Sequence, residues 1–278
     1  MYSIDPLKYI DRERAIFRRI GLSFNMDNPR TIQEKLAWLN FYDTNPLKVK
    51  CADKILLHEY CKEKLGKDIC IPIIKMYNDI SEINWDELPN EFVMKCNHGS
   101  GMNIIVNDKA KLNKTAAIRN LDKWMKDDFA FRNGVEIHYH DIPHRIFAEK
   151  RMRDGNGDSL FDYKFWCFNG NPEFYTINEG HGHGPIVHYN MGQKRANFER
   201  IDYKVPPSLD YKQPFYFNEM AEYSKKLSEP FKFVRVDFYE IDETVYLGEM
   251  TFTPGAMTFK YKDPSDNIRI GDLLDLQK

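Results

Sequence analysis

The sequence predicts an α+β fold in which a short helical N-terminal segment precedes two sheet-containing lobes. Three observations carry that prediction. Stretches of helical periodicity with start and stop signals run from Leu7 to Leu65. Short apolar runs interrupted by Pro72, Gly99 and Gly101 follow, as edge strands and tight loops require. From Ile146 onward strand patterns dominate and close in a hairpin near the C-terminus. The chain divides accordingly into a helical segment over residues 1–50, a lobe with a glycine-rich loop over 51–145, and a C-terminal lobe over 146–278.

Leu7, Ile10, Ile16, Phe17 and Ile20 recur at helical spacing until Gly21 ends the run. Thr31 and Glu34 have the spacing of a capping box, so a helix starts at Ile32 and carries Leu36, Trp38 and Leu39. Asp53 is a good N-cap for a helix from Lys54 to Leu65, with Gly66 as its stop. Residues 69–76 contain Pro72 and read as an edge strand. Glu91–Cys96 and Ile104–Val106 are strands flanking the glycine loop, and Asn113–Ala130 is a helix. Ile146–Met152, Phe161–Phe168 and Glu173–Ile177 are further strands, and part of Ser208–Leu227 is helical. No internal repeat or low-complexity tract interrupts the pattern.

Composition excludes several function classes. A formal net charge of −2 gives no overall pull toward nucleic acid or anionic lipid. The arginines near the N-terminus are matched by neighbouring acids. Aromatic residues make up 14% of the 278, which argues against disorder. Cys51, Cys61, Cys70, Cys96 and Cys167 are odd in number and form no Cys-x-x-Cys pair, which fits reduced thiols in the cytoplasm. No apolar run reaches the roughly 20 residues that span a bilayer, and the N-terminus lacks the apolar stretch of a secretory signal. Work at a membrane would therefore be peripheral.

The richest chemistry lies in Val234–Tyr239 and Tyr246–Thr251, two strands joined by Asp242-Glu243-Thr244. A three-residue loop there sets Ile241 against Val245, Asp237 against Glu249, and Arg235 against Thr251. Opposed side chains share a face with Cβ atoms about 5 Å apart, so the two carboxylates repel unless a cation lies between them. Mg2+ suits such a pair, because it takes one or two carboxylates plus substrate phosphates. A solvated edge hairpin is the competing reading of this stretch.

In Lys95-Cys96-Asn97-His98-Gly99-Ser100-Gly101-Met102-Asn103, the glycines let a loop reverse and expose successive N–H groups to a phosphate. Lys95, on the incoming strand, reaches the same anion. A strand follows the loop, so it is neither a Walker loop nor a dinucleotide fingerprint, and a plain hairpin turn is the alternative. Asp154-Gly155-Asn156-Gly157-Asp158 opens like a calcium loop, but Ser159 and Phe165 stand where glycine and glutamate are needed, so a hairpin turn replaces that reading. Asp162 and Lys164 share one face of the next strand, either toward a polar ligand or toward solvent. His138, His140, His144, His181, His183 and His188 show no metal-binding spacing and read as loop or surface residues. The Gly180–Gly184 stretch fits a mobile loop over a site.

Together these motifs resemble the ATP-grasp superfamily, in its TupA-like branch associated with teichuronopeptide and other cell-surface polysaccharides. The resemblance runs from Asn28-Pro29-Arg30-Thr31 and Ala52-Asp53-Lys54, through Lys95–Gly101 and Glu149-Lys150, to Arg235-Val236-Asp237 and Glu249–Gly255. It implies an ATP-grasp fold with ATP between two α+β lobes. By similarity Lys54, Lys95 and Lys164 contact phosphates, and the loop His98, Gly99, Ser100, Gly101, Met102, Asn103 covers them. Glu149 and the backbone of Lys150, Arg151 and Met152 hold adenine. Asp237 and Glu249 are Mg2+ ligands, and Arg235 steadies the transferring phosphate or the acyl intermediate. Thr251 stands where many relatives carry an asparagine ligand; its hydroxyl is a weaker donor that water can replace. The short helical N-terminus stands where most relatives carry a Rossmann-like acceptor domain.

The implied activity is ADP- and phosphate-forming ligation. A carboxylate, as on a uronic acid of a saccharide or nucleotide-sugar, becomes an acyl phosphate, and an amino acid or other amine displaces phosphate. A sugar kinase of the same fold needs the same ATP site. A glycosyltransferase is disfavoured because the chain lacks Asp-x-Asp. A nucleotide-binding module without catalysis does not need Lys95, Asp237 and Glu249 together.

Overall fold

The computed structural model describes residues 2–153, 160–180 and 184–277. The expected turn at Asp154–Asp158, Ser159, and the residues His181–His183 of the expected Gly180–Gly184 loop lie outside that range.

Helix α1 (Ile10–Arg19) buries Glu13 and Phe17 and ends before Gly21, whose φ of 71° favours glycine. Helix α2 (Ile32–Tyr42) has the expected capping box. Thr31 Oγ1 accepts from the Glu34 N–H at 3.2 Å, and Glu34 Oε2 accepts from the Thr31 N–H at 3.1 Å. The helix expected over 54–65 is displaced. A short α3 (Leu47–Ala52) precedes Asp53, and α4 starts only at Leu57 and ends at Leu65 before left-handed Gly66. Asp53 does cap, since its Oδ1 accepts from Ile55 and Leu56 N–H. The Lys54 N–H, however, is drawn to the Asn97 carbonyl at 3.3 Å, which holds Lys54 beside the glycine loop and delays the helix.

Strands β1 (Ile73–Tyr77), β2 (Phe92–Cys96), β3 (Asn103–Val106) and β4 (Ile146–Lys150) form an antiparallel sheet in the order β1-β4-β2-β3. β1 is at an edge, as expected, but it starts at Ile73, just after Pro72, and runs to Tyr77 in place of the expected 69–76. Pairing of β4 with β1 and β2 extends this first sheet to Lys150. Helix α5 (Lys114–Met125) covers part of it and stops before the expected Ala130. Its last carbonyls are taken by imidazoles, Trp124 O by His98 Nε2 at 3.0 Å and Met125 O by His144 Nδ1 at 2.8 Å. Phe129–Phe131 then forms a separate 3-10 turn capped by Asp128.

The second sheet, antiparallel throughout, comprises β5 (Phe161–Phe168), β6 (Asn171–Glu179), β7 (Ile186–Asn190), β8 (Phe233–Ile241) and β9 (Thr244–Thr251) in the order β7-β6-β5-β8-β9. Strand alternation separates its faces. Phe165, Cys167, Val234, Val236 and Phe238 pack on one side with α6 (Phe217–Ser228). On the other side Trp166, Phe168 and Phe233 pack against α2 and α7 (Pro264–Gly271). That second side is apolar over only half its length; Asp162, Lys164, Arg235 and Asp237 continue it as a polar surface toward the first sheet. Helices from both ends of the chain thus cover the half that the cleft leaves free. All five cysteines are buried and free. No helix among the described residues is long and apolar enough to cross a membrane.

The β8–β9 hairpin corrects one detail. The turn has two residues, Asp242 and Glu243, both at positive φ, so Ile241 pairs with Thr244. A bulge at Gly248 then adds one residue to β9, and Asp237 still faces Glu249 while Arg235 faces Thr251. Adding a Cβ to Gly248 would bring it 2.7 Å from the Tyr239 ring, so the bulge needs glycine. Glu243 at φ 59° is a poor occupant of its turn position. Glu243→Gly is expected to raise stability by about 1 kcal/mol, measured as a higher urea midpoint at unchanged slope.

Candidate active site

The cleft between the two sheets measures about 310 Å³. From the first sheet come Lys95 on β2, the loop Gly99–Asn103, and Lys54, held there by the Asn97 contact. Gly101 supplies the left-handed turn at φ 70°. Gly99 packs so tightly on Phe129 that a Cβ would lie 2.6 Å from the ring. Lys54 Nζ donates to the Gly99 carbonyl at 2.5 Å and so braces the loop. Asn97 anchors its base, accepting from the Arg145 N–H at 2.8 Å and donating to Pro143 O at 2.9 Å. Lys95 is ion-paired with Glu149 on β4. Desolvation pulls the Lys54 ammonium below the usual lysine value, opposed by Glu249 and reinforced by Lys95.

From the second sheet come Asp162 and Lys164 on β5, Asp237 and Tyr239 on β8, and Gly248 and Glu249 on β9. Arg235 grips Asp237 in a fork, Nε to Oδ1 at 2.7 Å and Nη2 to Oδ2 at 2.6 Å. The same Nη2 reaches Glu249 Oε1 and Thr251 Oγ1, both at 3.1 Å. Lys164 Nζ donates to Asp237 Oδ2 at 3.0 Å and lies 3.5 Å from Asp162 Oδ1. Burial pushes the Asp237 carboxyl up, but Arg235 and Lys164 outweigh it and hold it below the usual range. Burial would lower Lys164, and Asp237 reverses the direction.

A second cavity of about 380 Å³ lies beyond Glu249 and shares Ser100 and Glu249 with the first. Arg235, Thr251, Thr253, Glu136 and Tyr139 line it.

The structure brings Lys54, Lys95, Gly99, Ser100, Gly101, Met102, Asn103, Lys164, Asp237 and Glu249 to one cleft, with Arg235 and Thr251 on its far side. His98 departs from expectation. It is fully buried behind the loop, stacked on His144 at 3.6 Å, and burial lowers its pKa to about 4. It supports the loop rather than covering a phosphate. Glu149 is engaged with Lys95, Lys150 is exposed, Arg151 Nε donates to Asn107 Oδ1 at 3.1 Å, and Met152 packs with Leu160 and Ile241. His138 and His188, read as loop or surface residues, are buried, and desolvation holds each near pKa 3. The reason is aromatic packing, of His138 on Phe252 and His188 on Phe198. Sequence reasoning missed Tyr239, Gly248, Glu136 and Tyr139. The alternation Glu249, Thr251, Thr253 was a readable signal of a continuous polar face, whereas Glu136 reaches it only through tertiary packing.

The donor set suits a divalent cation. One positive atom, Arg235 Nη2, already stands within 2.6 Å of an Asp237 oxygen and 3.1 Å of a Glu249 oxygen, so both carboxylates converge on a single cationic centre. The donors are hard oxygens, as Mg2+ requires.

Residues 34–274 match the TupA-like ATP-grasp family. The chain belongs to that family. Its two antiparallel sheets, mixed with helices and enclosing the cleft, are the ATP-grasp fold. Solved structures similar to this family member include a D-alanine–D-alanine ligase from Bacillus anthracis complexed with ATP (16% identity, TM-score 0.43, covering 84% of this chain and 66% of that one). Another is the D-alanine–D-alanine ligase of Helicobacter pylori (17%, TM-score 0.47, covering 87% and 69%). A third is an L-amino acid ligase from Bacillus licheniformis (13%, TM-score 0.49, covering 89% and 55%). The chain thus spans between 55% and 69% of their lengths. No curated protein matches it in sequence.

Asp237 neutralises two buried cations, so Asp237→Asn is expected to lower stability at pH 7 by about 3 kcal/mol. Its depressed folded pKa means this contribution is complete above the unfolded value of about 4 and is lost as pH falls through the folded value. Urea midpoints of variant and parent should therefore converge as the pH falls below about 4 and on through the folded value. A gap that stays constant with pH would point to packing instead of charge.

Proposed function

We propose that the protein is an ATP-dependent carboxylate–amine ligase acting on a uronic acid of a cell-surface polysaccharide or its precursor in the cytoplasm. The observation that carries this reading is the pair of cavities meeting at Ser100 and Glu249. One has lysines and opposed carboxylates suited to MgATP. The other offers room beside Arg235 for a substrate that reacts at the phosphate. The family supports ATP as the substrate, and its polysaccharide association is the basis for the uronic acid.

In this reading Lys54, Lys95 and Lys164 bind the phosphates, and loop Gly99–Asn103 presents N–H groups to them. Asp237 and Glu249 would hold Mg2+, which would supply charge neutralisation at the transferring phosphate. Glu149 and the backbone at Lys150–Met152 face adenine. Arg235 leaves its two carboxylates to steady the γ-phosphoryl group as the acceptor carboxylate attacks it. ADP leaves, and the resulting acyl phosphate gives an amide when an amine displaces phosphate. Rate enhancement comes from positioning and preorganised charge.

Ligand stabilisation checks the nucleotide site. MgATP at 100 times Kd should stabilise by about 2.7 kcal/mol, a melting shift of roughly 5 °C or more, which falls with EDTA. Lys95→Ala should reduce the shift, and Asp237→Asn should abolish turnover. A shift with UDP-sugars alone would overturn the reading in favour of a glycosyltransferase. Product analysis separates the chemistries: ADP with phosphate marks ligation, whereas ADP without phosphate marks a sugar kinase.

A further inference from the structure

We propose that the second cavity receives the amine and that Glu136 is the base that takes a proton from it. The inference rests on the ligase reading and extends it to a site that the nucleotide chemistry leaves unused.

Glu136 is 5% exposed and lines the cavity. Its backbone is fixed, with N–H donated to Ala130 O at 2.8 Å and C=O accepting from the Tyr139 N–H at 3.1 Å. Oε2 accepts from Thr253 Oγ1 at 2.5 Å. A buried carboxyl ordinarily has a cationic partner. Among the described residues the groups around this one supply none: Thr253 and Glu249 face it from the β9 side, Tyr139 from its own turn, and Glu13 from α1. Arg235 lines the same cavity but pairs with Asp237 and Glu249, and in the ligase reading it turns to the phosphoryl group and not to Glu136.

Glu136, buried with Thr253 as its hydrogen-bond donor and no paired cation among the described residues, makes the cavity attractive to an ammonium group. That favours a primary amine, such as an amino acid, over a second carboxylate. Burial, with a smaller push from Glu249, raises the Glu136 pKa to about 7 against the Thr253 hydrogen bond, so the group exchanges protons near neutrality. A purely structural acid needs no such setting beside Ser100 and Glu249, where the acyl phosphate forms.

The step balances as follows. Glu136 takes one proton from the ammonium. The nitrogen lone pair attacks the carbonyl carbon and the C–N bond forms. The acyl C–O bond breaks, and phosphate departs with its electron pair and the second proton lost by nitrogen. Glu136 returns its proton to solvent.

Hydroxylamine, uncharged near neutral pH, attacks acyl phosphates without a base and tests the assignment. Wild type and Glu136→Gln are compared with MgATP and glucuronate or galacturonate, free or as UDP derivatives. The nucleophile is either hydroxylamine or a mixture of L-amino acids, and ADP, phosphate and hydroxamate are measured. The variant is expected to lose about 100-fold or more with amino acids, while its hydroxamate formation changes less than about threefold. Glu136→Asp should recover at least tenfold over the glutamine variant. Equal losses with both nucleophiles, or an unchanged amino-acid rate, would overturn the assignment of Glu136. Absence of ADP and hydroxamate in the wild type would instead overturn the ligase reading, and this inference with it.

Discussion

The charge cluster on one face of β8 constrains the rest of the molecule. Arg235, Asp237, Lys164 and Glu249 stand on adjacent strands in one layer, and Asp237 is almost wholly buried there. Unpaired, any of these charges would be expensive to remove from water. The fork between Arg235 and Asp237, with Lys164 on the same carboxylate, satisfies them and fixes their geometry. A face carrying such charges cannot be covered by helices. It must be met by a polar surface, and the first sheet supplies that with Lys95 and the glycine loop.

The division of this face explains the role of helices α2 and α7. Where β5 and β8 turn apolar, at Trp166, Phe168 and Phe233, α2 and α7 close over them. Gly271 on α7 approaches the backbone at Arg30 so closely that a Cβ would lie 2.3 Å from its carbonyl oxygen. The capping box at Thr31 therefore sets both the start of α2 and the seat of α7. One continuous strand surface is used as core at one end and as chemistry at the other.

Loop support follows the same economy of means. His98 and His144 stack behind the glycine loop and accept the job of ending α5 through its last carbonyls. Asn97 ties the loop base to the segment entering β4, and Asp53 holds Lys54 in place. These residues touch no cleft ligand in the proposed chemistry, yet they set where the loop N–H groups and the Lys54 ammonium lie. A preorganised anion site needs such rigidity, because N–H groups stabilise developing charge only if they need not move.

Local patterns determined much of this protein. The capping box, the edge position of the strand after Pro72, the extents of β2 and β5, and the opposition of Asp237 to Glu249 all follow from spacing and residue type. The last of these came with compensating errors, since the shorter turn and the Gly248 bulge differ by one residue in opposite senses. Side-chain alternation fixes the face, and a bulge is invisible to alternation until the pairing partner is known. The helix start at Leu57 was not legible, because the competing partner of the Lys54 N–H is Asn97, far along the chain. Nor was the interior position of His98, His138 and His188, whose neighbours come from other elements. Sequence alone determined that Asp237 faces Glu249 and that Lys95 leads into the glycine loop, because alternation and turn chemistry are short-range rules. Only tertiary structure decided that Glu136 and Thr253 meet beyond Glu249, because burial and charge surroundings are properties of packed neighbours, not of the chain order.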